Sequence, residues 1–390
     1  MSAEMINVTA MVRIVSAEIF EIETALAKPY GLSKSYGTVT STRAVLLKLT
    51  DADGMVGWGE ANPRQPFTAE SPSEAADVLE GELLPVVLRE ACPEPGRVDL
   101  LLDRVRADHL LAKGAVSMAL LDLLGKRLGV SVATLLGGAV CESLPVLWPL
   151  SSGSAEDDIR VIDEMAAKGF ASFMLKMGTA PVSDEIQRVA LLEARYGDRF
   201  KFIADANQGW TREEARAFLA GVKDSRLAFV EQPVAKSDID GMALLAKDTR
   251  LPISADESLT GLSEAARIAS LGAATVFSIK SSKNGGPLRA QRIAALAQAF
   301  GIQCYMNSML EFGITQAASL QHAVTLPNLI DAGHAFMSTL RLAEDPTDFS
   351  SFVRNGTAYL PNSPGLGVQV DEAHVKRLAV ANRSVVSGKS

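Results

Sequence analysis

Five residues of this chain have the types and spacing to do chemistry together. Lys176, Asp205, Glu231, Asp256 and Lys280 each close a short apolar run, at intervals of 29, 26, 25 and 24 residues. Alternation along a strand sets Asp205 and Asn207 on one side of their run, and Ser278 and Lys280 on one side of theirs. If the ends of these runs meet, three carboxylates face one another with an ammonium on each flank. Like charges crowded into a partly desolvated mouth are strongly unfavourable without a cation. A hard divalent ion resolves the conflict, and Mg²⁺ suits three carboxylates that leave positions open for water or substrate. Such an ion polarises a substrate carboxylate and stabilises the enediolate left when the alpha proton departs. A lysine close to the ion has its pKa lowered toward working pH and supplies the base. Asp205-Ala-Asn207 also has the form of a cap for a helix beginning near Thr211. Five such residues on successive units go beyond what capping accounts for.

These residues need elements to position them. From about residue 145, β-rich runs alternate with Ala/Leu-rich helical segments. Strands are expected at Phe173–Lys176, Phe202–Ala206, Ala228–Glu231, Ile253–Asp256, Val276–Lys280 and Gln303–Met306. Helices are expected at Ser183–Tyr196, Arg212–Gly221, Ala265–Leu271 and Leu288–Phe300. Alternation of this kind implies βαβ units and a parallel sheet. A unit of about 25 residues repeated so regularly suits a (β/α) barrel, whose C-terminal strand ends converge on one mouth. Before it, Val12–Ile22, Arg43–Thr50 and Val56–Trp58 read as strands, the last two joined by an Asp53-Gly54 turn. Helical periodicity follows at Ala75–Val87, Val98–Arg106 and Lys113–Leu128, with Gly129 as a C-cap. Pro29–Gly37 reads as a flexible loop carrying Tyr30 and Tyr36, which with Trp58 are candidates to cover a substrate.

Composition agrees with small-molecule chemistry. The 390 residues are 47% hydrophobic and 22% charged, as in a soluble globular protein, and suffice for two domains or a large barrel with an appendage. The net charge of −8, with both signs mixed along the chain, offers no basic field for nucleic acid. No uninterrupted apolar stretch is long enough to span a membrane, and Met1–Ala10 lacks the pattern of a secretory signal. Cys92, Cys141 and Cys304 are widely spaced with no CxxC pair, which fits a reducing cytosol.

The motifs around the five residues resemble those of the enolase superfamily, in its muconate lactonizing enzyme subgroup. They are Asp205-Ala-Asn-Gln-Gly-Trp210, Glu231-Gln-Pro233, Ala255-Asp-Glu-Ser258 and Ile279-Lys-Ser-Ser-Lys-Asn-Gly-Gly-Pro287. Enolase-superfamily sites using Lys or His bases with Mg²⁺ are a known pattern. The resemblance runs almost end to end. Gly57-Trp-Gly-Glu-Ala-Asn-Pro63 is similar to the capping-domain loop, Met309-Leu-Glu311 to the end of the seventh barrel strand, and Pro364-Gly-Leu-Gly367 to the C-terminal return. It implies an α/β fold, a (β/α)7β-type TIM barrel with an N-terminal α+β capping domain. Residues 1–135 would form the cap, with lid loops near 29–37 and 57–63. Residues 136–340 would form the barrel, and 341–390 a segment returning to the cap.

By the same resemblance Asp205, Glu231 and Asp256 would bind Mg²⁺, and Lys176 and Lys280 would stand on opposite faces of the substrate as acid and base. Asn207, Glu257, Glu311, His334, Tyr30 and Tyr36 would lie around the substrate. Lys280 carries the subgroup assignment, because the mandelate racemase subgroup uses a His–Asp dyad and Cys304–Met309 contains no histidine. Two positions depart from the subgroup pattern. Met174 stands where a Lys-x-Lys pair usually has its first lysine. In Ile330-Asp-Ala-Gly-His334, Gly333 replaces the second acid of the Asp-x-Asp motif of dipeptide epimerases, which argues against that activity. His334 falls about where lactonizing enzymes carry a glutamate, and reads equally as a substrate contact or a structural residue. The expected function is that of an isomerase, a cycloisomerase or a racemase/epimerase acting on a small carboxylate. The alternatives are a dehydratase of a hydroxylated carboxylate or hydroxyproline-like acid, and an inactive metal-binding barrel with a binding role. Members of the family are commonly homo-oligomers, dimers or octamers.

Overall fold

Two long strands rich in β-branched and apolar residues open the described chain: β1 (Ile14–Gly31) and β2 (Thr38–Asp51), followed by β3 (Val56–Ala61). The computed structural model describes residues 13–90, 93–151 and 153–387. Met1–Ala10 and Cys92, which entered the reading of leader and cysteines, lie outside these. The strands form an antiparallel meander, and Asp51 accepts the N–H groups of Asp53 and Met55 to shape the turn before β3. Helix α1 (Pro72–Val78), set by a Ser71/Glu74 capping box, continues through one wide turn at Leu79–Leu83 into α2 (Leu84–Arg89). Next come α3 (Pro95–Val105), α4 (Leu110–Leu128) and α5 (Val132–Leu135). Helix α4 ends on Gly129 in the left-handed conformation, as the sequence predicts.

A short β4 (Ser143–Pro145) leads into the barrel. Its strands and helices alternate: β5 (Leu147–Leu150), α6 (Ala155–Ala166), β6 (Ser172–Lys176), α7 (Val182–Tyr196), β7 (Lys201–Asp205), α8 (Arg212–Gly221) and β8 (Val230–Glu231). They continue with α9 (Ile239–Asp248), β9 (Ile253–Ala255), α10 (Leu262–Leu271), β10 (Val276–Ile279), α11 (Pro287–Ala299), β11 (Gln303–Met306) and α12 (Gly313–Ala323). The seven strands β5 to β11 are all parallel and lie side by side in sequence order. Single bridges from Cys304 to Leu329 and from Val146 to His334 close the ring. The eighth position is therefore the irregular segment 329–334. Beyond it, β12 (Val353–Arg354) and β13 (Thr357–Tyr359) pair with β4, and α13 (Glu372–Leu378) precedes β14 (Ala379–Val386), which pairs with β1. The chain thus returns to its first sheet. No described helix is long and apolar enough to cross a membrane.

The segment 57–63 is not the lid loop expected of it. Most of it is β3, pressed onto α4, with Trp58 buried, its N–H on Asp122 and its ring 6.2 Å from Phe20. Only the part after Ala61 turns toward the barrel mouth. The 29–37 region does reach the barrel, but as the tip of the β1–β2 hairpin, with Tyr30 still in β1.

Helix α12 was not legible as a helix, because all its residues are buried and no polar stripe marks its period. It carries His322, whose two ring nitrogens are buried without hydrogen-bond partners. Burial pulls this imidazole from its usual value near 6.5 down to about 4. Between those values the unfolded chain takes up a proton that the folded one refuses, so His322 subtracts stability as pH falls through that window. We expect His322→Leu to raise the melting temperature at pH 8 and by a larger margin at pH 5, the added margin approaching roughly 3 kcal/mol at its limit. Thermal melts of both proteins across pH 4.5–8 check this, and an equal margin at both ends would refute it.

Candidate active site

The ends of β6 to β10 each deliver one ionisable side chain to the mouth. Lys176 closes β6, and its Nζ donates to Asp205, which closes β7 beside it. Asp205 pairs in register with Glu231 at the end of β8. Asp256 follows β9, and Lys280, following β10, donates to its Oδ2 at 2.6 Å. Lys283 donates to Oδ1 of the same carboxylate at 2.8 Å. All five expected residues are buried.

The surrounding chain fixes these ends. Arg188 of α7, paired with Asp158, donates to the Lys176 carbonyl at 2.7 Å. Glu185 accepts the N–H groups of Gly178, Thr179 and Ala180 and the Trp210 ring N–H, tying together the loops after β6 and β7. Glu231 is oriented by Ser278 Oγ and Asn307 Nδ2, both donating to its Oε1 at 2.7 Å. Its Oε2 is buried with no partner.

Electrostatics follow from this crowding. Burial, then the neighbouring Asp205 and Asp256, push the Glu231 carboxyl well above its usual range. Burial also acts to raise Asp256, but the Lys280 and Lys283 ammoniums outweigh it and hold the carboxyl low. For Lys176 and Lys280 burial acts to lower the pKa, and the carboxylates around them, led by Asp205 and Asp256 respectively, outweigh it and keep both ammoniums charged. A hard divalent cation fits this set: the orphaned Glu231 oxygen lacks a donor, and the mutual repulsion of three buried carboxylates needs positive charge. As they stand, no three His, Cys, Asp or Glu side chains among the described residues are grouped to hold a metal. Lys176 and Lys280 each hold a carboxylate oxygen that a cation would share.

Above the carboxylates lies a cavity partly open to solvent. Lys176, Lys280, Asn207, Tyr30 and Tyr36 line it together with Met174. Tyr36 is brought over it by the hairpin tip, where Ser33 Oγ donates to the Asn207 carbonyl at 2.9 Å and Gln208 donates to the Tyr36 hydroxyl. Arg341 stacks 3.8 Å over the Tyr30 ring. Glu257 sits behind the wall, 3.4 Å from Asn207 Nδ2. Two further expected residues, like Glu257, are not brought to the cavity. Glu311 accepts Met309 N–H at 2.7 Å, Ser308 Oγ and Gln316 Nε2, and so shapes the loop after β11. His334 is buried in the closing segment, where Nδ1 accepts the Met306 N–H at 3.1 Å and its backbone bonds Leu147 and Pro145.

Other residues of the site were not foreseen. Asn307 had a signal, since it follows Lys280 by another 27 residues and ends β11 in the manner of its predecessors. Lys283 stands three residues past Lys280 in a motif already singled out. Arg64 and Phe67 had none: they lie in the irregular segment after β3, and only folding brings Phe67 to 4.2 Å from Lys280 Nζ and 5.7 Å from the Tyr36 ring.

Comparison with known proteins agrees with this architecture. Residues 14–137 match the family model of the mandelate racemase/muconate lactonizing enzyme N-terminal domain, and residues 158–374 the enolase C-terminal domain-like model. Muconate cycloisomerase 1 of Pseudomonas putida is 32% identical over 345 residues, covering 88% of this chain and 92% of that protein. The crystal structure of N-succinyl Arg/Lys racemase from Bacillus cereus superimposes with a TM-score of 0.90 at 28% identity, over 96% of this chain and 100% of the other. The muconate lactonizing enzyme from Pseudomonas putida gives 0.87 at 31% identity, over 95% and 100%. With both its domains matched and its fold shared throughout, the chain belongs to the mandelate racemase/muconate lactonizing enzyme family and is an isomerase of the enolase superfamily, in the muconate lactonizing enzyme subgroup.

Proposed function

We propose that the protein moves a proton at the carbon alpha to the carboxylate of a small substrate, with Lys176 and Lys280 as acid and base. One observation carries the reading: both lysines line the same cavity, and each is ion-paired to a buried carboxylate at a neighbouring strand end. Asp205, Glu231 and Asp256 would hold Mg²⁺, which when bound polarises the substrate carboxylate and stabilises the negative charge that builds on it. Ser278 and Asn307 orient Glu231 for that task, and Lys283 keeps Asp256 from turning away. Lys176 Nζ and Lys280 Nζ take up or return the proton at the alpha carbon. Tyr36 and Phe67 cover them and exclude water.

Two lysines on one cavity support racemisation or epimerisation over one-base elimination, and the likeness to muconate cycloisomerases supports cycloisomerisation, which needs one lysine to deliver a proton. In this reading residues 1–135 act as the cap, 136–340 carry the chemistry, and 341–390 tie the two together. The enzyme would work in the cytosol as a homo-oligomer, a dimer or octamer, which light scattering of the purified protein tests.

The reaction is tested by incubating the protein with MgCl₂ and a library of carboxylates in D₂O and following the alpha protons by NMR. Deuterium should enter at the alpha carbon of at least one compound, and chelation of the metal should stop it. Net loss of water would instead mark a dehydratase. Absence of exchange with every carboxylate, in protein shown to bind Mg²⁺, would overturn the proposal.

A further inference from the structure

The two lysines of the mouth are aimed by different means. The Lys280 backbone is held within its own loop: its N–H donates to Asn284 Oδ1 at 3.0 Å, and its carbonyl accepts the Asn284 N–H at 2.9 Å. The Lys176 backbone is held from the helix layer outside the strands. Arg188 of α7 donates to the Lys176 carbonyl through Nη1 at 2.7 Å, and through Nη2 to the Ser151 carbonyl just past β5 at 3.1 Å. The same guanidinium grips Asp158 of α6 with Nε and Nη2, at 2.5 and 2.9 Å. Both side chains are buried, so water competes little for these bonds. Only the planar, five-donor fork of an arginine can serve one carboxylate and two carbonyls at once. Well-packed apolar side chains would often stabilise such a place equally well. What they could not do is hold the carbonyl of Lys176.

We propose that Arg188 is a positioning residue for one of the two proton transfers. By fixing the Lys176 carbonyl it sets where Lys176 Nζ meets the alpha carbon, and it leaves Lys280 to its own loop. The inference rests on the proposed function insofar as it takes Lys176 for an acid or base. Lys176 carries its ammonium at the end of a four-carbon stem, so a small tilt of the backbone displaces Nζ by far more. A misplacement of about 1 Å is enough to slow a proton transfer on the order of 10²-fold. Along β6 the preceding residue on the same side is Met174, which offers no polar atom to share the task.

Two variants test this. Arg188→Lys keeps a charge beside Asp158 but offers a single ammonium where a fork is needed. Arg188→Met combined with Asp158→Leu removes the pair without stranding a charge, so a folding defect in one variant leaves the other to decide. Alpha-proton exchange in D₂O with MgCl₂ is followed for each enantiomer of a chiral carboxylate that the native protein exchanges. For the enantiomer whose hydrogen faces Lys176, kcat should fall roughly 10²-fold with KM little changed, and for the other both should stay within about three-fold. An equal fall for both enantiomers marks a merely structural role and overturns the inference, as does an unchanged rate in a folded variant. A second readout needs no turnover. Reductive methylation by formaldehyde and dimethylamine–borane, read lysine by lysine by peptide mass spectrometry, reports how firmly each ammonium is held. Labelling of Lys176 should quicken roughly ten-fold in the variants, and that of Lys280 should not change. If the native protein exchanges no carboxylate, the proposed reaction fails and the labelling alone decides the role of Arg188. Lys176 labelling at the native rate in a folded variant would then overturn it.

Discussion

Lys280→Ala should lower deuterium exchange at the alpha carbon by roughly 10²–10⁴-fold for the substrate enantiomer whose hydrogen faces it, the range typical of a lost general base. The protein should still fold and still bind Mg²⁺. Removing one partner of a buried ion pair usually strands the other charge at high cost. Asp256 escapes that fate because Lys283 remains on its Oδ1 at 2.8 Å. The loss therefore falls on proton transfer and not on the metal site. Lys176→Ala should do the same for the opposite enantiomer, and the double variant should be little worse than either one for racemisation, since residues acting as a unit are not additive. NMR exchange on separate enantiomers, with calorimetric Mg²⁺ titration of each variant, checks these outcomes. Exchange within ten-fold of the native rate in Lys280→Ala would show that another group is the base.

The residues that do this chemistry were legible because each interrupts an apolar run. A charge closing a strand has no packing reason to be there, and the interval between such charges is the length of one βα unit. The same logic located β6, β7, β9, β10 and β11 to within a residue or two. It failed where burial erases pattern. Helix α12 is enclosed all round, so its sequence has no face, and the closing segment 329–334 makes single bridges in place of a ladder. It left His334 open between a substrate contact and a structural residue, and the structural one fits: the residue stands near a strand end like the others but turns its ring into the Met306 backbone. Position along the chain does not fix side-chain direction at an irregular strand. Arg64 and Phe67 were beyond reach for another reason. Their place over the mouth depends on how the cap sits on the barrel, which local sequence does not encode.

The cap strand that carries this docking, β3, is itself seated by a close approach which can be tested directly. Gly59→Ala should destabilise the protein by roughly 3 kcal/mol or more, at the severe end of overpacking. A Cβ at this position would stand 1.9 Å from the Ala115 carbonyl oxygen and 3.0 Å from the Ala119 nitrogen. Both are backbone atoms of α4, so no side chain can rotate away, and β3 must lift off the helix. Gly57 meets the same helix one pleat earlier, 2.2 Å from the Ala119 carbonyl oxygen. The shift would not stay local. The next residue, Glu60, is buried, and its carboxylate accepts the N–H groups of Phe312 and Thr315 at 2.8 Å each, anchoring the start of α12 to the cap. Beyond it the chain runs straight to Arg64 and Phe67 at the cavity. Displacing β3 should therefore weaken ligand binding as well as lower the midpoint of urea unfolding. Gly96→Ala is the control: it lies in α3 with nothing within 4 Å of the added carbon, and should be neutral or stabilising by up to about 1 kcal/mol. A Gly59→Ala protein within about 1 kcal/mol of the native stability would mean that β3 and α4 can separate without cost, and that this approach does not set the position of Glu60 against the barrel.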